Sequence, residues 1–153
     1  MDVRLRPMTT EELAVYRGGM IDAYAEAMIR DGGLLEDEAR RKAVADTEAV
    51  WPGAEPPAGD VVATVEADGE PVGRVWFGRH PSRPALFLND VEIDERHRGR
   101  GLGRAAMALL EDEARACGLD TIELNVWGRN EAARGLYRAL GYDEVAIGMR
   151  KRL

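Results

Sequence analysis

The stretch "ALFLNDVEIDERHRGRGLGRAAMALLEDEARACGLDTIELNV", residues 85–126, constrains the fold more than any other part of the chain. It reads as strand, loop, helix and strand. Residues 85–94 form a long β-rich run. Leu102, Ala105, Ala106, Leu109, Leu110, Glu113 and Ala116 then recur at helical spacing, to about Cys117, and Gly118 closes the helix. Residues 121–126 alternate as a strand. Two strands joined through one helix need a crossover, so they should lie parallel in one sheet.

The loop inside this unit is unusual. Arg96, Arg98, Arg100 and Arg104 share nine residues with Gly99, Gly101 and Gly103, and the helix pattern starts directly afterwards. Arginines supply positive charge, glycines bare the backbone, and a helix start supplies unpaired N–H groups. The combination suits a phosphate or a pyrophosphate. A Walker loop, Gly-x-x-x-x-Gly-Lys-Ser/Thr, does not occur in the chain. A dinucleotide fingerprint needs Gly-x-Gly-x-x-Gly, but here the third glycine comes one residue early and Arg104 takes its place.

Around this unit the chain reads as one domain over residues 1–153, of ordinary size and composition. Val3 to Arg6 suits a short strand. Thr9 and Glu12 form a capping box, with Met8 stapled onto Leu13. Leu13, Tyr16, Met20, Ala23, Tyr24 and Ala27 make a helical stripe that Gly32-Gly33 breaks. A second helix fits Leu35 to Val50, and Pro52 ends it. Residues 60–78 read as two strands joined at Asp68-Gly69, a hairpin signal. Another helix spans about Glu131 to Leu140, and "YDEVAIGMRKR" supplies one or two closing strands. The order is β-α-α-β-β-β-α-β-α-β-β. The fold class is α/β (α+β): a mixed, mostly antiparallel sheet of six to seven strands with a parallel central pair, flanked by about four helices.

The loop pattern Gln/Arg-x-x-Gly-x-Gly/Ala is matched by Arg98-Gly99-Arg100-Gly101-Leu102-Gly103. It resembles the coenzyme-binding motif of the Gcn5-related N-acetyltransferases. A second pattern of that family, Asn-x-x-Ala-x-x-Leu/Phe-Tyr-x-x-x-Gly-Phe/Tyr, is matched at every specified position from Asn130 to Tyr142. One helix and one strand separate the two, as in the family. The detailed resemblance covers about residues 85–145, while the first 80 residues match mainly in element order.

The resemblance implies transfer of an acetyl group from acetyl-coenzyme A directly to a primary amine. The backbone amides from Arg98 through Arg104, including those of Gly99, Arg100, Gly101, Leu102 and Gly103, would wrap the coenzyme pyrophosphate. The pantetheine arm would lie along the preceding strand, on backbone groups of Val91 and Ile93, whose side chains should face the core. Asn130 would contact the coenzyme, although asparagine also suits a helix N-cap. Ala133 would need to be small beside the pantetheine. Tyr137 would be the general acid that protonates the departing thiolate, unless it serves only to pack. A general base must take a proton from the amine, which arrives charged. Asp90 and Glu92, two residues apart on one strand face, are the candidates. Some relatives place a glutamate at the position of Asn125, which cannot act as a base.

Tyr24, Met28, Trp51 and Trp76 either line the acceptor pocket or fill the core. Cys117 is expected to be a small buried packing residue. Residues 1–80 carry 9 basic and 16 acidic residues, which argues against nucleic acid and would suit a cationic acceptor, small molecule or peptide. No apolar run has the length of a membrane span, and residues 1–13 lack the apolar core of a signal peptide, so the expected location is the cytoplasm. No metal-ligand spacing occurs. A homodimer is compatible with the family. The alternatives are a non-catalytic acyl-coenzyme A sensor, or an acyltransferase with a different donor or acceptor.

Overall fold

The computed structural model describes residues 1–153. The elements run β1 (Val3–Pro7), α1 (Thr10–Arg30), α2 (Glu36–Val50), β2 (Val61–Ala67), β3 (Glu70–Arg79), β4 (Leu86–Ile93), α3 (Leu102–Ala116), β5 (Ile122–Leu124) and α4 (Glu131–Ala139). The five strands form one sheet in chain order, β1-β2-β3-β4-β5. The first four are antiparallel, and β4 and β5 are parallel, as the crossover through α3 requires.

Local chemistry explains the boundaries. Thr9 Oγ1 accepts from Glu12 N at 3.1 Å while Glu12 Oε2 accepts from Thr9 N at 2.8 Å, so the capping box opens α1. Asp68 and Gly69 take φ values of 50° and 87°, the left-handed pair that closes a tight hairpin between β2 and β3.

The sheet has two covered faces. Val65, Val75, Phe77, Leu86 and Leu88 pack against Leu102, Ala106, Met107 and Leu110 of α3 in the main core. On the opposite face α1 and α2 bury Trp51 edge-on to Trp76, with ring centroids 5.2 Å apart. Ala25 and Met28 of α1 meet Ala39 and Ala43 of α2 in a second, smaller cluster.

Three expectations need correction. The sheet has five strands, not six to seven, because residues 143–153 pair with no strand and are exposed throughout. The strand expected over 121–126 shrinks to Ile122–Leu124, since β4 offers β5 only Leu86–Leu88. Cys117 is exposed at the end of α3 rather than buried, because the helix stops there and its last turn faces water.

A bulge in β4 positions everything that follows. Trp76 of β3 stands opposite Asp90 and Phe77 opposite Leu88, so Asn89 has no opposite number. The extra residue shifts the alternation of side chains by one. Leu86 and Leu88 face the α3 core, and beyond the bulge that face belongs to Val91 and Ile93. Asp90 and Glu92 therefore face α1 and α2.

Candidate active site

The two carboxylates on β4 share one cation. Asp90 Oδ2 accepts a hydrogen bond from Tyr16 Oη of α1 at 2.8 Å and another from Arg74 Nε of β3 at 2.9 Å. The same guanidinium pairs with Glu92 Oε2, and its carbon lies 4.9 Å from the centre of the Tyr16 ring. Burial opposes the charge on Arg74, but Asp90 and Glu92 outweigh it and hold the guanidinium above its ordinary range. Burial, then the Asp90 charge, pushes the Tyr16 phenol up, so Tyr16 remains a proton-bearing donor. Asp90 Oδ1 receives no hydrogen bond from the chain.

Tyr137 lies on α4, partly buried against the main core, with its ring centroid 5.6 Å from that of Tyr142. Of the four tyrosines, Tyr16 and Tyr24 donate hydrogen bonds to carboxylates, and Tyr137 and Tyr142 do not. Burial, then the charge of Asp90, raises Tyr137 above the usual phenol range. A phenol in that state keeps its proton at neutral pH and has it free to give.

Beyond Leu88 the outer edge of β4 is open. β5 leaves β4 after Leu88, so Asn89 to Ile93 have no strand on that side. Ile93 O accepts from Arg98 Nε at 2.8 Å, and Arg98 also reaches Glu92 Oε1 at 3.4 Å. The Arg98 side chain thus folds back onto β4, and its place in the loop is carried by the backbone.

The loop itself ends in a bare helix start. Gly99 and Gly101 have φ values of 74° and 79°. Gly101 is the N-cap of α3, no side chain caps the helix, and its first turn holds no acidic residue. The first carbonyl used by the helix is Gly101 O, taken by Ala105 N. The amides of Leu102, Gly103 and Arg104 have no intrahelical acceptor. Arg96, Arg100 and Arg104 are exposed or nearly so and enter no ion pair. Such a cradle suits a diphosphate: converging N–H groups, a favourable helix dipole, and three free cations. A Cβ on Gly103 would come within 3.3 Å of Leu136 of α4, so this glycine also lets the two helices approach.

Asn130 Oδ1 accepts from Ala133 N at 3.1 Å and caps α4. Asn130 and Ala133 are both partly exposed at the start of that helix. Of the residues read as pocket or core, Met28 and Trp51 are fully buried and Trp76 nearly so, which assigns them to packing. Tyr24 stays partly exposed, donating to Asp46 Oδ2 at 3.1 Å. No group of three or more His, Cys, Asp and Glu is placed to hold a metal ion. No helix is long and apolar enough to cross a membrane.

Tyr16 and Arg74 were not evident from the sequence. Tyr16 sits inside an amphipathic stripe, where an aromatic reads as core. Arg74 gave a signal: a lone cation in the middle of the otherwise apolar run "PVGRVWFG" needs an anionic partner.

Known proteins share this architecture. A family model described as "Acetyltransferase (GNAT) family" matches residues 22–142. An uncharacterized N-acetyltransferase of Bacillus subtilis, YycN, is 31% identical over the whole of both chains. Its crystal structure superimposes with a TM-score of 0.87, covering 99% of each chain. The L-amino acid N-acyltransferase MnaT of Escherichia coli is 30% identical, covering 79% of this chain and 70% of its own. AAC(6')-Iy, solved in complex with a bisubstrate analogue built on coenzyme A, shares the fold at a TM-score of 0.58 and 19% identity. The sequence match and the shared architecture agree: the chain belongs to the GNAT family of acetyltransferases.

Proposed function

We propose that this chain transfers an acetyl group from acetyl-coenzyme A directly to a primary amine, as a single-domain enzyme of the cytoplasm. The observation that carries the reading is the bare N-terminus of α3 directly after the open edge of β4, together with the Asp90 and Glu92 carboxylates of that strand and a Tyr137 hydroxyl that no side chain engages. Acetyl-coenzyme A, when bound, supplies the activated acyl group. The amides of Gly99 to Arg104 hold its pyrophosphate, with Arg100 and Arg104 at hand. Backbone groups of Val91 and Ile93 line its arm, and Asn130 and Ala133 flank it from α4. Tyr137 Oη gives its proton to the leaving thiolate. Asp90 or Glu92 takes the proton of the incoming ammonium, directly or through water.

The amine acceptor is approached from the α1–α2 side, which Asp90 and Glu92 of β4 face. MnaT, named for L-amino acids, adds that class to the acceptors worth testing.

Calorimetric titration with acetyl-coenzyme A, coenzyme A and adenosine diphosphate tests the donor half. Both coenzymes are expected to bind at micromolar levels and the nucleotide more weakly. A folded sample that binds neither coenzyme would end the proposal. Thiol release then scores an amine panel of spermidine, L-methionine, an aminoglycoside and an alanine-initiated peptide.

The base assignment is tested in the same assay. Asp90→Asn or Glu92→Gln is expected to lower kcat about 100-fold and to alter the acid limb of the pH–rate profile. Acetyl-coenzyme A affinity should be unchanged. If both variants keep the wild-type profile, the base lies elsewhere.

A further inference from the structure

The stretch after α4 carries a run of alternating apolar side chains that stand in solvent. Val145, Ile147 and Met149 alternate, and they are 89%, 73% and 94% exposed. The stretch is nevertheless tied down at both ends. Glu144 pairs with Arg134 and Arg138 of α4. Arg150 donates to the carbonyls of Gly32 and Gly33, at 3.2 and 3.3 Å, and Arg152 pairs with Glu38 of α2 at 2.9 Å. Anchoring of this kind lowers the ordering entropy that pairing would otherwise cost.

The order of residues says what the partner is. Residues 143–151 read Asp-Glu-Val-Ala-Ile-Gly-Met-Arg-Lys. Reversed, the string complements itself about Ile147. We propose that residues 143–151 of two copies of this chain pair as antiparallel strands about a two-fold axis through Ile147. In that register Val145 stands opposite Met149 of the second copy, and Ala146 opposite Gly148. Glu144 stands opposite Arg150, and Asp143 opposite Lys151. Every cross-strand pair is apolar with apolar, small with small, or acid with base, the combinations that stabilise a sheet. A two-fold axis makes each such contact twice. Asp143 and Lys151 enter no ion pair within the chain, so both are available to a partner. Pairing also sets Val145, Ile147 and Met149 of both copies side by side on one face, where neighbouring side chains partly shield each other from water.

The register predicts where a cross-link forms. On the axis, the two copies of residue 147 have Cα atoms roughly 4.5–5.5 Å apart, inside the range of a disulfide. The two copies of residue 145 are about 14 Å apart, outside it. The experiment uses Cys117→Ser as background, because Cys117 is exposed. Ile147→Cys should form a disulfide dimer under mild oxidation, and Val145→Cys should not. By light scattering after gel filtration the unaltered chain should be a dimer. Lys151→Asp, which sets two acids against each other at each end, should be monomeric, and Asp143→Lys with Lys151→Asp should restore the dimer. A chain monomeric up to hundreds of micromolar overturns the proposal and leaves this stretch to its own sheet edge. A dimer that Ile147→Cys fails to cross-link, or that the charge exchange fails to restore, also overturns it and places the contact at β5 or another face.

Discussion

Replacing Gly101 by valine is expected to weaken acetyl-coenzyme A binding about 100-fold in a chain that still folds. Gly101 has φ 79°, and a β-branched residue held there carries roughly 1–3 kcal/mol of strain. A side chain at this position would meet no heavy atom within 4 Å, so no clash blocks folding. The loop relieves the strain by turning its peptide planes, and the amides at the start of α3 swing away from a common focus. Losing two hydrogen bonds to a charged acceptor, at about 1.5 kcal/mol each, amounts to about 3 kcal/mol. Titration calorimetry reads the affinity, and a thermal melt shows that the sample is folded. Full affinity in a folded Gly101→Val sample would take the loop out of coenzyme binding altogether.

The second large effect belongs to Tyr137. Tyr137→Phe removes one oxygen, keeps the ring against the main core and Tyr142, and is expected to lower kcat about 100-fold, in the range of a lost general acid. Coenzyme affinity should stay within about twofold, because the hydroxyl makes no bond that the fold needs. Burial and Asp90 both raise this phenol, so protonation at neutral pH is secure and the loss on the basic side comes late. The rate should therefore hold across neutral pH and fall only at pH above the ordinary phenol range of about 10. Unchanged turnover in Tyr137→Phe would reduce this residue to a packing role.

Much of this was readable in advance because local rules wrote it. The stripe on α3, the Thr9–Glu12 box and the Asp68-Gly69 turn each depend on neighbours within a few residues, and each formed as expected. The parallel pairing of β4 with β5 followed from chain connectivity alone. The contact of Tyr16 with Asp90 spans 74 residues, and no periodicity encodes it. The Arg74 bridge likewise depends on the register of β3 against β4. Residues 143–153 misled for another reason. Their alternation is a true strand pattern, but a pattern states what a segment can pair with, not where the partner is. Cys117 was misplaced because helical spacing does not mark the last turn, where the buried face runs out.

The bulge at Asn89 divides β4 between two masters. Leu86 and Leu88 answer to packing, and they tolerate exchange among residues of similar volume. Asp90 and Glu92 answer to Arg74 and, in the proposed reaction, to the incoming amine. A strand keeps count in twos, so taking Asn89 into a regular ladder would turn both carboxylates toward the core and Val91 and Ile93 toward α1 and α2, with composition unaltered. In descendants of this chain, both carboxylates therefore keep their facing only where residue 89 stays out of the ladder or is lost altogether.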